Sequence, residues 1–168
     1  MQRYTVAVLV RNQFGVLNRV TSMFRRRQFN INSLTVSETE SIELSRITVQ
    51  FEGEKNAKDQ LVNQLYKLPD VCSVKEIEGE TSVSRELMLI KVKNSPEQYP
   101  EIRAAAEAFH VKTVDYSRDS IMLQMTDESR RIDDFIRLMD DFEILEICRT
   151  GVVSLERGDT TIRKVTII

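Results

Sequence analysis

Hydrophobic positions along the chain switch between two spacings, and each switch marks an element. Tyr4–Val10 is an apolar run rich in β-branched residues, which predicts a strand. Phe14-Gly15 breaks it, and Val16, Leu17, Val20, Met23 and Phe24 then recur at helical spacing through Gln28. Phe29–Ser37 returns to strand chemistry with Ile31, Leu34 and Val36, and the polar stretch Glu38–Glu43 predicts a turn. Ile47, Val49 and Phe51 alternate within Leu44–Glu52, a half-buried strand that Gly53 ends. Ala57, Leu61, Leu65 and Leu68 define a helix face stopped by Pro69, and Val71–Ile77 is a short strand closing at Gly79.

The second half repeats this order. Glu86–Val92 predicts a strand, and Ser95-Pro96 followed by Pro100 places a helix start, because proline suits the first helical turn. Ile102, Ala105, Ala106 and Phe109 follow at helical spacing. Val111–Tyr116 and Ser120–Met125 read as strands joined by a tight turn, and Asp127 is the expected N-cap of a helix carrying Ile132, Phe135, Ile136 and Met139. Glu143–Cys148 closes the unit. Tyr4 and Leu87 hold matching places, so the period is roughly 80 residues, which suits tandem domains better than a solenoid.

Two βαββαβ units of the α+β class follow, each with two helices on one face of a four-stranded antiparallel sheet in the ferredoxin-like arrangement. The expected division is residues 1–78, a linker over 79–84, and 85–168 with a tail. In the tail, Ile162, Val165 and Ile167-Ile168 read either as an extra strand or interface arm, or as a frayed terminus. Each unit is expected to leave one sheet face uncovered, which argues for an oligomer.

Composition narrows the chemistry. The only histidine is His110, which excludes Ser-His-Asp triads and His-based zinc sites. Cys72 and Cys148 are too few for a disulfide framework and are expected as reduced core residues of a cytoplasmic protein. Lys and Arg number 24 against 26 Asp and Glu, without the basic surplus that nucleic-acid binding requires. Apolar runs fall far below a membrane span, so no membrane partner is expected. Asp133-Asp134 and Asp140-Asp141 read as a solvated helix face rather than a metal site, and Glu86 as an edge-strand charge.

The segment RNQFGVLNRV (Arg11–Val20) carries the most information. A strand ends, Asn12 sits in a short loop, and Gly15 opens a helix whose first amides lack partners. That combination suits a small zwitterion, with the amides of Gly15, Val16 and Leu17 for a carboxylate and Asn12 for polar groups nearby. The competing reading makes Gly15 a turn residue and Asn12 a helix cap. Asn30, at the opening of a strand, invites a polar partner, and Ile31 and Leu34 beside it would line an aliphatic pocket. An exposed loop asparagine is the plainer reading of Asn30.

Arg11–Val20 followed by FNINSLTVS (Phe29–Ser37) resembles the ACT domain, a small-ligand regulatory module. With LSRITVQ (Leu44–Gln50), RELMLIKV (Arg85–Val92) and TGVVSLERGD (Thr150–Asp159), the chain resembles the small, regulatory subunits of acetolactate synthase, also called acetohydroxyacid synthase. The resemblance implies a non-catalytic subunit with an N-terminal ACT domain for effector binding and dimerisation. Its catalytic large subunit would use thiamine diphosphate, magnesium and FAD, with no cofactor on this chain. It also implies activation of that subunit and feedback inhibition by branched-chain amino acids, valine foremost. The effector residues carried over are Asn12, Gly15, Val16, Leu17, Asn30 and Ile31. Arg11, Gln13-Phe14 and Gln28 depart from the family pattern, Gln28 replacing a usual glycine. The alternatives are an ACT-type regulator of another enzyme and a ferredoxin-like acyl-phosphate hydrolase using Arg11, Arg19 and Asn12. An RNA-binding domain of the same strand order is argued against by the third strands, where LSRITVQFE holds one aromatic and SIMLQMT none, and by the net negative charge.

Overall fold

The computed structural model describes residues 2–164. The chain divides into two units, 2–84 with 151–164, and 85–150, so it passes from one to the other twice. In the first, β1 (Gln2–Arg11), α1 (Val16–Arg26), β2 (Ile31–Glu38), β3 (Leu44–Gly53), α2 (Lys55–Leu65) and β4 (Val71–Glu76) follow in order. The antiparallel sheet runs β2-β3-β1-β4. Tyr4, Val6, Val8 and Val10 face the helices and pack with Ile47, Val49 and Phe51 of β3, Phe24 and Val20 of α1, and Leu61 and Leu65 of α2. The strand and helix periodicities therefore meet in one core, which Phe51 joins edge-on to Phe24 and Phe29.

The second unit repeats the plan with most of β5 (Ser82–Lys93), then α3 (Tyr99–Ala108), β6 (Lys112–Tyr116), β7 (Ser120–Asp127), α4 (Ser129–Leu138) and β8 (Ile144–Arg149). Its strands run β6-β7-β5-β8, and Met88, Ile90, Leu123, Ile102, Ile132 and Phe135 belong to its core. Both units are thus βαββαβ folds of the α+β class.

Four expectations change. Asp127 is the last residue of β7 rather than the helix cap; its carboxylate accepts from the Glu128 amide and the Arg131 side chain, and Glu128 is the N-cap. Glu86 lies on a central strand, 4% exposed, and its carboxylate meets Arg149 at 2.6 Å, so it is half of a buried ion pair and no edge charge. Arg149 also reaches Asp133 at 2.7 Å, which gives that aspartate a structural partner. Cys72 and Cys148 are both exposed: Cys72 falls in the irregularity of the edge strand β4 between Val71 and Ser73, and Cys148, on the edge strand β8, pairs with Leu89 on the side away from the helices.

The fourth change concerns the tail. Ser82, expected in the linker, opens β5, and β9 (Val153–Glu156) pairs with β5, the Ser84 and Ser154 hydroxyls lying 2.6 Å apart. Residues 151–164 then pack on the helix-free face of the first sheet. Gly151 lies so close to Leu34 and Thr35 that a Cβ there would stand 2.8 Å from the Leu34 carbonyl carbon. Arg46 donates to the Ser154 carbonyl at 2.7 Å, Lys75 meets Glu156 at 2.6 Å, and Ile162 joins Ala7, Leu9 and Ile77 in a small core. The face expected to be open is covered by the chain's own tail, which belongs with the first unit. Ile162 begins a 3₁₀ turn instead of a strand, and Val165 and Ile167-Ile168 lie outside the described residues.

Candidate functional site

β1 ends at Arg11, whose amide donates to the Asp70 carbonyl, and the chain turns through residues 12–15 into α1. Asn12 is held at three points. Its backbone amide donates to Glu43 O at 2.7 Å, and its side-chain amide donates to Ile42 O and Glu38 Oε1, each at 3.0 Å. Both side-chain hydrogens are therefore engaged by the 38–43 turn, and Oδ1 is the atom left to meet a ligand. Asn12 does not cap α1, which has no side-chain cap.

Gly15 is the N-cap of α1, with φ 78° and ψ −3°, in the left-handed region that favours glycine. Val16 differs from its expected role twice. Its side chain is buried in the core, and its amide donates to the Gln13 carbonyl at 3.3 Å. Leu17 is partly exposed beside it, and Phe14 stands wholly in solvent. Arg19 chelates one Asp70 oxygen through Nε at 2.9 Å and Nη2 at 2.6 Å, which takes it away from any phosphate.

Asn30 is exposed and precedes β2, and Ile31, the first residue of β2, packs partly against the first core. These two lie beyond the C-terminal end of α1, while Asn12, Gly15 and Leu17 lie at its start. The 11-residue helix separates the groups by about 16 Å. One chain thus gathers Asn12, Gly15 and Leu17, and leaves Asn30 and Ile31 apart from them. Glu38 and Ile42, the turn partners of Asn12, were not legible in the sequence, since nothing local ties residue 12 to residues 38 and 42.

The second unit has a counterpart of this turn. Asn94 follows β5, donates its backbone amide to Asp119 O at 2.9 Å, and donates its side-chain amide to Ser117 O at 3.0 Å. Its helix start differs. The Gln98 amide donates to Ser95 Oγ and Ser95 O, the Tyr99 amide donates to Ser95 O, and Pro100 has no N–H. At these corresponding helix starts, Ser95 engages the first amides of α3, whereas α1 has no side-chain cap. Among the described residues there is no cluster of three His, Cys, Asp or Glu able to hold a metal, and no helix long and apolar enough to cross a membrane.

Residues 6–73 match the ACT domain of acetohydroxyacid synthase small subunits. Residues 85–158 match the small subunit of acetolactate synthase. A probable acetolactate synthase small subunit of Archaeoglobus fulgidus is 45% identical over 157 residues, covering 94% of this chain and 98% of its own. The acetolactate synthase small subunit of Bacillus subtilis is 45% identical, covering 91% and 90%. The crystal structure of the small subunit from Thermotoga maritima superposes with a TM-score of 0.86 at 36% identity, covering 95% of this chain and all of that one. The chain belongs to the acetolactate synthase small-subunit family.

Proposed function

We propose that this chain is the regulatory, non-catalytic subunit of an acetolactate synthase in branched-chain amino-acid biosynthesis. It binds the catalytic large subunit, raises its activity and confers feedback inhibition by a branched-chain amino acid, valine foremost. Thiamine diphosphate, magnesium and FAD reside on the catalytic partner, none on this chain, and the holoenzyme works in the cytoplasm.

The observation that carries the effector reading is the turn at Asn12–Gly15. The fold fixes Asn12 with Oδ1 unspent, beside a helix start that a left-handed glycine opens. A zwitterion's carboxylate fits the α1 amides, its ammonium fits Oδ1, and Leu17 offers the aliphatic contact. Val16 supports the site from the core, and Ile31 and Asn30 complete it only from a second copy, because α1 keeps them apart in one chain. A homodimer through the ACT domains meets that need. Strand β2 is an edge of its sheet with Val36 partly exposed, so pairing there places one Asn30 near the other chain's Gly15.

Effector binding at such a shared site favours one dimer arrangement over another. The coupling to the catalytic subunit is of order 1–3 kcal/mol and reciprocal. The test is reconstitution with the catalytic subunit. Valine is expected to bind the pure chain calorimetrically and to inhibit the reconstituted enzyme, with Asn12→Ala losing both while activation persists. A complex showing neither activation nor valine response would overturn the reading.

A further inference from the structure

The tail does more than cover a sheet face. Between it and the strands lies a cavity of about 390 Å³, within the range of small-molecule sites, entirely inside the first unit. Leu9, Ile77 and Ile162 give it apolar walls, and Thr160 and Thr161 line it from the tail. Its cations are not alike. Lys75 is matched by Glu156 at 2.6 Å and Arg163 by Glu40 at 2.8 Å. Arg46 instead spends a hydrogen bond on the neutral Ser154 carbonyl, and Glu156 acts on it only through space. Burial lowers the Arg46 pKa and Glu156 opposes that shift, the mark of a guanidinium partly stripped of water. Among the described residues Arg46 bonds only a neutral carbonyl, and the carboxylates of the lining are engaged elsewhere, Glu156 by Lys75, Glu40 by Arg163 and Glu38 by the Asn12 side chain; a half-buried cation so placed, facing apolar walls and hydroxyls, is chemistry for an anion with a hydrocarbon body.

We propose that the cavity beneath the tail is a second ligand site, taking a small aliphatic carboxylate on Arg46. It stands on the helix-free face of the sheet and does not rest on the Asn12–Gly15 reading, although Glu38, which accepts from the Asn12 side chain, also lines it. Guanidinium N–H groups hold the carboxylate, Thr160 and Thr161 donate to it, and the alkyl part lies on Leu9, Ile77 and Ile162. Because the tail supplies one wall, occupancy also ties residues 154–162 to the sheet.

The experiment titrates the full chain with isovalerate, followed by amide nuclear magnetic resonance. Saturable shifts are expected at Ser154, Glu156 and Thr160. The uncharged isostere 3-methylbutanol is expected to bind at least about tenfold more weakly, as is isovalerate to Arg46→Gln, which retains a donor for the Ser154 carbonyl. Thr160→Glu places a carboxylate in the cavity from an exposed position and is expected to abolish binding in a folded chain. Shifts confined to residues 12–17, no saturation at tens of millimolar, or unaltered affinity in both variants would overturn the proposal. Valine binding and its loss in Asn12→Ala report the effector site separately.

Discussion

Among the described residues, two hold left-handed backbone without being glycine, and both end the first helix of a unit. Gln28 has φ 58° after α1 and His110 has φ 57° after α3. The Phe29 amide reaches Phe24 O at 3.0 Å and the Val111 amide reaches Ala106 O at 2.8 Å, so the same helix-closing turn recurs in both units. A side chain there costs about 1–2 kcal/mol, against roughly 0.5–1 for the extra chain entropy of glycine. Gln28→Gly is therefore expected to stabilise the first unit by about 0.5–1 kcal/mol, read from the unfolding midpoint in denaturant. The glycine that the resemblance leads one to expect at this place would suit the observed backbone. Gln28 is a local strain that the turn tolerates, with no need to invoke the effector.

At the scale of elements, α2 is joined to β4 by Lys58, whose ammonium meets Asp59 at 2.6 Å and also Glu76, with the Tyr4 ring at 5.4 Å. Burial lowers its pKa, but hydrogen bonds to Asp59 and Glu76 outweigh that and leave it above the ordinary 10.5. A raised folded pKa contributes stability that is complete below the unfolded value and is lost as pH rises through the folded one. The deficit of Lys58→Met is thus expected to be constant from neutral pH to about 10.5 and to shrink above it, in urea titrations against pH. The tail is the other junction of elements. A methyl at residue 151 meets Thr35 and the Leu34 backbone, which cannot move without disturbing β2. Gly151→Ala is expected to lift residues 151–164 from the sheet, seen as faster amide exchange at Ser154 and cleavage by protease after Arg157, with the second unit unaffected.

For the whole molecule, the division of the six proposed effector residues between the two ends of α1 has a direct consequence. A chain carrying Gly15→Asp and a chain carrying Asn30→Ala each lack one half of a shared site. In a twofold dimer the two mixed halves give one intact site and one doubly broken one. Equimolar mixing and reassembly is expected to restore about a quarter of wild-type valine stoichiometry by random pairing, where each variant alone binds none. Calorimetry on the mixture checks this. No recovery would mean that a single chain holds the whole site.

The hydrophobic pattern determined the strands and helices, their order, and the duplication. These follow from spacing along the chain, where Val6, Val8 and Val10 or Ile132 and Phe135 reveal a face without reference to anything distant. It also marked Asn12 and Gly15, because a strand-to-helix turn with glycine is a local event. Contacts between remote segments were decided by the tertiary structure alone. Glu86 read as an exposed edge charge until β5 became a central strand beside Arg149, 63 residues away. Cys72 and Cys148 read as buried until the fold set Cys72 in an irregularity of β4 and Cys148 on the side of β8 away from the helices. The tail read as belonging with the second half until Arg46 bonded Ser154, 108 residues on. Periodicity reports which positions share a face, and only the folded chain determines what that face meets.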